Sequence, residues 1–251
     1  MKEETKLLTH HQYERHAQTP LDVTSFVPDD PIAQFQNWFD AARAPDSGVK
    51  EAEAVALATV DPTTLIPSNR MVLLKQVDER GFCFYTNYNS RKGRELFGSE
   101  KDGHAHEEKH GDGHDKERPG RCASLCFYWQ ALERSVRIVG HVEKMSRDDT
   151  TTYFQSRPLD SQLGAWASRQ SMPLDDRATL AQAIEDRKAQ MTSQERETHR
   201  LAPPPFWGGV RIVPFEVEFW QGQPNRLHDR FLYKKKDPGA NATWTLTRLS
   251  P

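Results

Sequence analysis

Several absences narrow the field before any motif is considered. No apolar run approaches the ~20 residues that a membrane-crossing helix needs, so no membrane partner is expected. Cysteine is scarce, with three in 251 residues. A small, odd number argues against a disulfide framework and for a reducing compartment. Cys122 and Cys126 are four apart on an expected strand, hence ~13 Å apart, beyond disulfide reach. Neither charge is in excess: Lys plus Arg number 34, Asp plus Glu 36, and the net charge is −2. That leaves no basic field for nucleic acid. Among 14 glycines there is no G-x-G-x-x-G and no Walker loop, so a dinucleotide Rossmann site is unsupported. The opening Met1-Lys2-Glu3-Glu4-Thr5 has no apolar signal core, and a cytoplasmic location is expected.

What is present suits a globular chain, with 36% hydrophobic and 28% charged residues and length for one sizeable domain or two small ones. Residues 1–29 are polar and expected to be flexible. Asp30-Pro31 opens a helix as N-cap and first helical residue, with Ile32, Phe35, Trp38 and Phe39 as its apolar stripe. Residues 55–61 and 69–75 read as strands. A turn at 78–81 returns the chain antiparallel through 82–87. Arg70 and Lys75 are an odd number apart, so a regular strand puts them on opposite faces; either the strand bends or the two serve different parts of a site. Ser90 caps a short helix beginning Arg91-Lys92. Two cations at a helix N-terminus oppose the macrodipole, which points to an anion there, the alternative being ordinary surface charge.

Residues 98–120 are low-complexity and expected to form a flexible loop. Within them His106-Glu107-Glu108-Lys109-His110 satisfies H-E-x-x-H. Zinc-protease chemistry needs that pattern on a packed helix facing a shielded cavity. Here glycines flank it and it has no apolar face, so a solvated loop is favoured and no metal site is assigned.

Residues 122–130 and 132–145 form a hairpin with alternating apolar positions. Ser146 caps a helix that carries Tyr153 and ends at Arg157-Pro158, placing Tyr153 and Arg157 on one helical face. Residues 173–195 read as one charged helix, 202–209 as a rigid turn, and 243–248 as a last strand. Apolar runs at 213–220 and 231–233 flank a turn rich in Gly, Pro and Asn, the pattern of a β-hairpin. On a strand, Arg226, His228 and Arg230 would share one face, with Leu227 and Asp229 on the other. Two guanidiniums and an imidazole suit an anionic, planar ligand; a solvated edge strand is the other reading.

The run Trp220-Gln-Gly-Gln-Pro-Asn-Arg226-Leu227-His228-Asp229-Arg230-Phe-Leu-Tyr233 resembles the C-terminal signature of the pyridoxine/pyridoxamine 5'-phosphate oxidases. These enzymes use FMN to oxidise phosphorylated B6 vitamers to pyridoxal 5'-phosphate. Further stretches resemble the same family in its order: Arg70-Met71-Val72-Leu73-Leu74-Lys75, Phe84-Tyr85-Thr86-Asn87 with Ser90-Arg91-Lys92, Leu132-Glu133-Arg134, and Tyr153 through Ser171. The resemblance runs from about Asp30 to Pro251, excluding the histidine loop.

The resemblance implies an α+β fold, an FMN-binding split β-barrel of mostly antiparallel strands, working as a homodimer. It assigns FMN contacts to Arg70, Met71, Val72, Leu73, Lys75, Tyr85, Thr86, Arg91, Lys92, Gln170, Ser171, Trp220 and Arg230. Lys75, Tyr153, Arg157 and Ser161 would hold the substrate phosphate, and Arg226 and His228 the substrate ring at the reacting centre. Where the family has a flavin-contacting glutamine this chain has Ser135, too short to copy its reach. His10, His11, Gln12 and Tyr13 occupy the place of a family lid, without its arginines. The implied chemistry is hydride transfer from substrate C4' to flavin N5, followed by reoxidation by oxygen with release of hydrogen peroxide. Two rivals are a related flavin oxidase acting on another substrate, such as those of phenazine biosynthesis, and a non-catalytic flavin or B6-phosphate binding protein.

Overall fold

The computed structural model describes residues 19–98, 121–236 and 243–251. His10 to Tyr13, the H-E-x-x-H match and the Asn241 of a glycosylation sequon lie outside the described residues. In chain order the elements begin with α1 (Pro31–Arg43), β1 (Ala54–Val60), β2 (Pro67–Leu73), β3 (Gln76–Asp78), β4 (Gly81–Asn87) and α2 (Arg91–Phe97). Then come β5 (Cys122–Trp129), β6 (Arg134–Lys144), α3 (Arg147–Ser156), α4 (Leu159–Ala167), α5 (Arg177–Ala189) and α6 (Ser193–Thr198). The last three are β7 (Trp207–Gln221), β8 (Asp229–Lys235) and β9 (Trp244–Arg248). The sheet runs β2-β1-β5-β6-β7-β4-β3, with β8 on β7 and β9 on β8, and β1–β2, β1–β5, β3–β4, β4–β7, β7–β8 and β8–β9 pair antiparallel. The chain divides into two compact units.

Of the described residues, one unit comprises 53–98, 121–126 and 138–215. In β1, Val55, Leu57 and Thr59 are buried while the alanines between them are half-buried, the period-2 signature of a strand with one covered face. The β1–β2 register sets Leu57 opposite Arg70 and Thr59 opposite Ser68. Two residues apart, Ser68 and Arg70 share a face, so this corner of the sheet is polar by construction. The side chain of Ser90 caps α2 through the Gly93 N–H, as the sequence indicates. Gly93 is required: a Cβ there would lie 2.1 Å from the carbonyl oxygen of Tyr88, so only glycine lets the first turn of α2 sit on the end of β4.

Other expectations in this unit are revised. β2 ends at Leu73 and β3 begins at Gln76, so Lys75 lies in the break between strands, its N–H bonded to the Cys83 carbonyl. Of the two alternatives for Arg70 and Lys75, the strand is interrupted. α3 ends at Ser156, and Arg157 is its C-cap with extended backbone, so Tyr153 and Arg157 are not an i, i+4 helical pair. Pro158 enforces this, since the residue before a proline avoids the helical region. Residues 173–195 are not one helix: Asp176 caps α5 through the Thr179 N–H, and Thr192 caps a separate α6. Both caps accept backbone donors with short polar side chains, which restart a helix at each.

Of the described residues, the second unit comprises 19–52, 127–137, 216–236 and 243–251. Asp30 caps α1 by accepting from the Ile32 and Ala33 N–H groups, with Pro31 at the first position. Phe35 is fully buried, 5.1 Å from the Phe127 ring, and Trp38 meets Phe219 edge-on. Of the N-terminal segment expected to be flexible, residues 19–29 are described; most are exposed, and Leu21, Phe26 and Val27 anchor them. Phe26 is buried against Phe231, the Leu21 N–H donates to Asp229, and the Tyr233 hydroxyl donates to the Val27 carbonyl.

Candidate active site

The polar corner of β1 and β2 collects a cation cluster. Arg70 donates through Nη1 to Thr59 Oγ1 and through Nη2 to Ser68 Oγ and, at 3.0 Å, to Glu95 Oε2. Arg91 reaches the other oxygen of Glu95 through Nε at 2.8 Å. Burial raises the Glu95 carboxyl, but bonds from Ser68, Thr59, Arg91 and Arg70 outweigh it and hold the group at about 2. Beside them Lys92 Nζ donates to Gln170 Oε1 at 2.9 Å, and the Thr86 hydroxyl reaches the same oxygen at 3.3 Å. Burial first, and then the neighbouring Arg70, pull the Lys92 ammonium below its ordinary value, with Glu95 opposing. Three cations thus crowd around a single carboxylate. An added anion relieves that repulsion, and a phosphate monoester carries about −1.5 to −2 charges at neutral pH. The residue types expected to hold a flavin mononucleotide therefore fit one.

The next residues form an aromatic stack. Tyr85 on β4 and Tyr153 on α3 lie face to face, centroids 3.9 Å apart, and Trp207 is parallel to both. The guanidinium of Arg157 sits 4.9 Å from the Trp207 ring centroid, a cation–π contact. Its Nη1 is buried with no hydrogen-bond partner, an expensive condition for a cationic donor and one that an anionic ligand satisfies. Burial lowers the Arg157 guanidinium and raises both tyrosines, Tyr85 to about 12. Ser161 lies in the first turn of α4, its N–H on the Pro158 carbonyl. Ser171, beyond Gln170, has φ +70, the left-handed region that non-glycine residues seldom occupy without a reason in the surrounding structure. Met71 and Leu73 are exposed at 63% and 42%, while Val72 between them is half-buried.

In the other unit, the C-terminal motif departs from a plain hairpin. β8 begins only at Asp229, and Pro224–Arg226 form a 3-10 turn with Asn225 and Arg226 at φ +57 and +61. Arg226 and His228 therefore do not share a strand face with Arg230. Asp229 determines the loop's shape. Buried at 4% exposure, it accepts from Leu21 N–H, Gln223 Nε2 and Arg248 Nη1. These three donors would otherwise be satisfied by water, so the turn closes over the acid rather than extending as a strand. The Gln223 N–H donates to His228 Nδ1 at 3.1 Å, so Nδ1 is the acceptor and neutral His228 carries its proton on Nε2. Burial and then Arg226 lower the imidazole, against Asp229 and Glu133. Trp220 pairs across the strands with Arg230, and its ring lies 4.9 Å from that of His228. Arg230 donates to Glu218 Oε1 at 2.8 Å through Nε.

Within the first unit the structure gathers Arg70, Thr86, Arg91, Lys92 and Gln170 in one polar network, and Tyr85, Tyr153 and Arg157 around one aromatic stack. Within the second it gathers Trp220, His228 and Arg230. Three participants were not singled out from sequence. Glu95 could have been found as the i+4 partner of Arg91. Glu218 is an ordinary alternating strand acid, and Trp207 was read as part of a rigid turn; neither carries a sequence signal for its partner. Among the described residues no group of three His, Cys, Asp or Glu is placed to hold a metal, and no helix is long and apolar enough to cross a membrane.

Residues 44–191 match the family described as pyridoxamine 5'-phosphate oxidase, and residues 207–251 match the pyridoxine 5'-phosphate oxidase C-terminal dimerisation region. A pyridoxine/pyridoxamine 5'-phosphate oxidase of Burkholderia ambifaria is 47% identical over 236 residues, covering 94% of this chain and 95% of the relative. One from Nostoc punctiforme is 46% identical over 221 residues, 88% of each. Among solved structures, PhzG of Burkholderia lata in complex with tetrahydrophenazine-1-carboxylic acid aligns with TM-score 0.73 at 27% identity, over 94% of this chain and 99% of that one. A pyridoxamine 5'-phosphate oxidase-related, FMN-binding protein of Nostoc punctiforme shares the fold, with TM-score 0.59 at 16% identity over 86% and 97%. The antiparallel α+β class is the one the sequence implies.

Proposed function

The chain belongs to the pyridoxamine 5'-phosphate oxidase family, and on that premise we propose that it oxidises pyridoxamine 5'-phosphate and pyridoxine 5'-phosphate to pyridoxal 5'-phosphate. FMN is its cofactor; when bound, it accepts the hydride and passes the electron pair to oxygen, with hydrogen peroxide as product. The observation that carries the substrate assignment is the buried Arg157 Nη1, partnerless beside Tyr153 and braced on Trp207. A phosphorylated substrate supplies the anion that this donor lacks.

Each residue then has a task. Arg70, Arg91 and Lys92 hold the cofactor phosphate, with Met71, Val72, Leu73 and Lys75 along the same segment and Tyr85, Thr86, Gln170 and Ser171 beside it. Lys75, Tyr153, Arg157 and Ser161 take the substrate phosphate. Arg226 stacks on the substrate ring, and His228 donates from Nε2 to a ring oxygen. Trp220 and Arg230 contact the cofactor. The chain works as a homodimer, which the match of residues 207–251 to a dimerisation region supports.

A second reading has its own support: PhzG, solved with a tetrahydrophenazine carboxylic acid, is similar over nearly the whole chain. Measuring peroxide release with pyridoxamine 5'-phosphate, pyridoxine 5'-phosphate, unphosphorylated pyridoxamine and tetrahydrophenazine-1-carboxylic acid separates the two. Turnover confined to the phosphorylated amine and alcohol is expected; turnover of the phenazine alone would select the second reading.

A further inference from the structure

Glu95 is out of place on simple electrostatic grounds. A carboxylate among cations that bind a phosphate repels the ligand and weakens the field. Yet Glu95 is firmly held. Its side chain is 3% exposed. Oε2 accepts from the Thr59 and Ser68 hydroxyls and from Arg70 Nη2, and Oε1 accepts from Arg91 Nε.

We propose that Glu95 is a positioning residue for the cofactor phosphate, fixing Arg70 and Arg91 in advance so that the two guanidiniums meet the phosphate as a preset pair. This rests on the assignment of Arg70 and Arg91 to FMN made above. The arrangement is built by the β1–β2 register, which sets Thr59 beside Ser68, with hydroxyls 3.3 Å apart, and by α2, which puts Glu95 one turn after Arg91. Arg70 donates into those two hydroxyls, and they donate in turn to Glu95. The relay has one direction, so the guanidinium plane of Arg70 is set by three fixed acceptors. Arg91 is engaged through Nε, and its side chain remains 55% exposed.

A long arginine side chain loses rotamer freedom when it grips a ligand, and a carboxylate that has already taken that freedom removes the loss from the binding step. Positioning and repulsion act in opposite directions, so the sign of one substitution decides between them. The carboxylate keeps its charge down to about pH 2, so the device is constant across the working range.

The test is Glu95→Gln in the full-length chain, which keeps shape and removes the charge. FMN affinity is read from flavin fluorescence during uptake by stripped protein and from release by loaded protein on dilution. Riboflavin, which lacks the phosphate, is the control. FMN dissociation is expected to worsen ~10- to 100-fold, the range of a lost charge-assisted bond or two, with riboflavin affinity unchanged. Adding Glu95→Gln to the double variant Arg70→Ala, Arg91→Ala should change little further, because both arginines that it positions are already gone. Unchanged or tighter FMN binding by Glu95→Gln overturns the proposal. If instead Arg70→Ala and Arg91→Ala both keep wild-type FMN affinity, the underlying assignment fails, whatever Glu95→Gln does. Should Glu95→Gln not fold, Thr59→Val with Ser68→Ala removes the relay; FMN binding weakened against an unchanged riboflavin control supports positioning, and unaltered FMN binding overturns it.

Discussion

The rings of Tyr85 and Tyr153 stack with centroids 3.9 Å apart and planes inclined by 18°. Tyr85 comes from a strand assigned to the cofactor and Tyr153 from a helix assigned to the substrate phosphate, so the stack ties the two assignments into one piece of packing. Such a pair contributes about 0.5–1.5 kcal/mol beyond the area it buries.

Two substitutions at Tyr153 should therefore behave differently. Tyr153→Phe keeps the stack and removes the hydroxyl; KM for the phosphorylated amine should rise ~10-fold, the scale of one bond to a charged group, with the flavin spectrum unchanged. Tyr153→Ala should raise KM further and also perturb the flavin spectrum, because Tyr85 loses its neighbour. Steady-state kinetics and absorption spectra check both. Identical behaviour of the two variants would mean that the stack has no bearing on the site.

Arg157→Ala should raise KM by ~10- to 100-fold with a smaller effect on kcat. Trp207→Leu, which removes the ring under the guanidinium, should raise KM only several-fold, since a partly buried cation–π contact is worth about 0.5–2 kcal/mol. Loss of FMN with retained substrate affinity in Arg157→Ala would show that this arginine serves the cofactor instead.

How far these groups were legible in the sequence varies with the range of the interaction. Asp30-Pro31, Ser90 and Ser146 each announced a helix start, because capping is a local contest among neighbouring backbone groups. The run at 55–61 likewise marked a strand, which the structure has as β1. The resemblance named Arg70 and Arg91, but their shared partner Glu95 depends on a strand register that periodicity does not fix. The stretch before β8 misled for a related reason. Two-residue spacing from Arg226 to Arg230 imitates a strand, whereas burying Asp229 against Leu21 and Arg248, more than 200 and 19 positions distant respectively, forces a turn. Arg157 was read onto a helix because i, i+4 spacing was given weight over the proline that follows it.

Arg226→Leu should stay yellow but reduce slowly, losing on the order of 10²-fold in kcat/KM if about 3 kcal/mol of positioning is lost. Arg226→Gly should show the same kinetic defect while melting at or above the wild-type temperature, because φ +61 suits glycine better than arginine. Arg230→Leu should instead bleach the protein by weakening FMN binding, and it removes one of the two arginines on Glu218. Stopped-flow reduction, thermal melting and flavin content distinguish the three; wild-type reduction by Arg226→Leu would make this loop structural.

His228 should be less protonated at pH 6.5 than an ordinary histidine, which is half protonated there, because burial and Arg226 favour the uncharged ring. Nitrogen chemical shifts of the imidazole should show a proton on Nε2 and an unprotonated Nδ1, as the Gln223 N–H dictates. Half-protonation should need a pH below 6.5. A ring more than half protonated at pH 6.5, or the opposite tautomer, would contradict the role of His228 as an Nε2 donor.

The most direct measurement is to mix the yellow, FMN-loaded protein with pyridoxamine 5'-phosphate in the absence of oxygen and follow the flavin's visible absorption. Bleaching within a turnover time, one pyridoxal 5'-phosphate formed per flavin, and recovery of colour with one hydrogen peroxide on admitting air are the expected results. A flavin that stays oxidised with pyridoxamine 5'-phosphate and pyridoxine 5'-phosphate, but bleaches with a tetrahydrophenazine carboxylic acid or with neither, would contradict the proposed reaction.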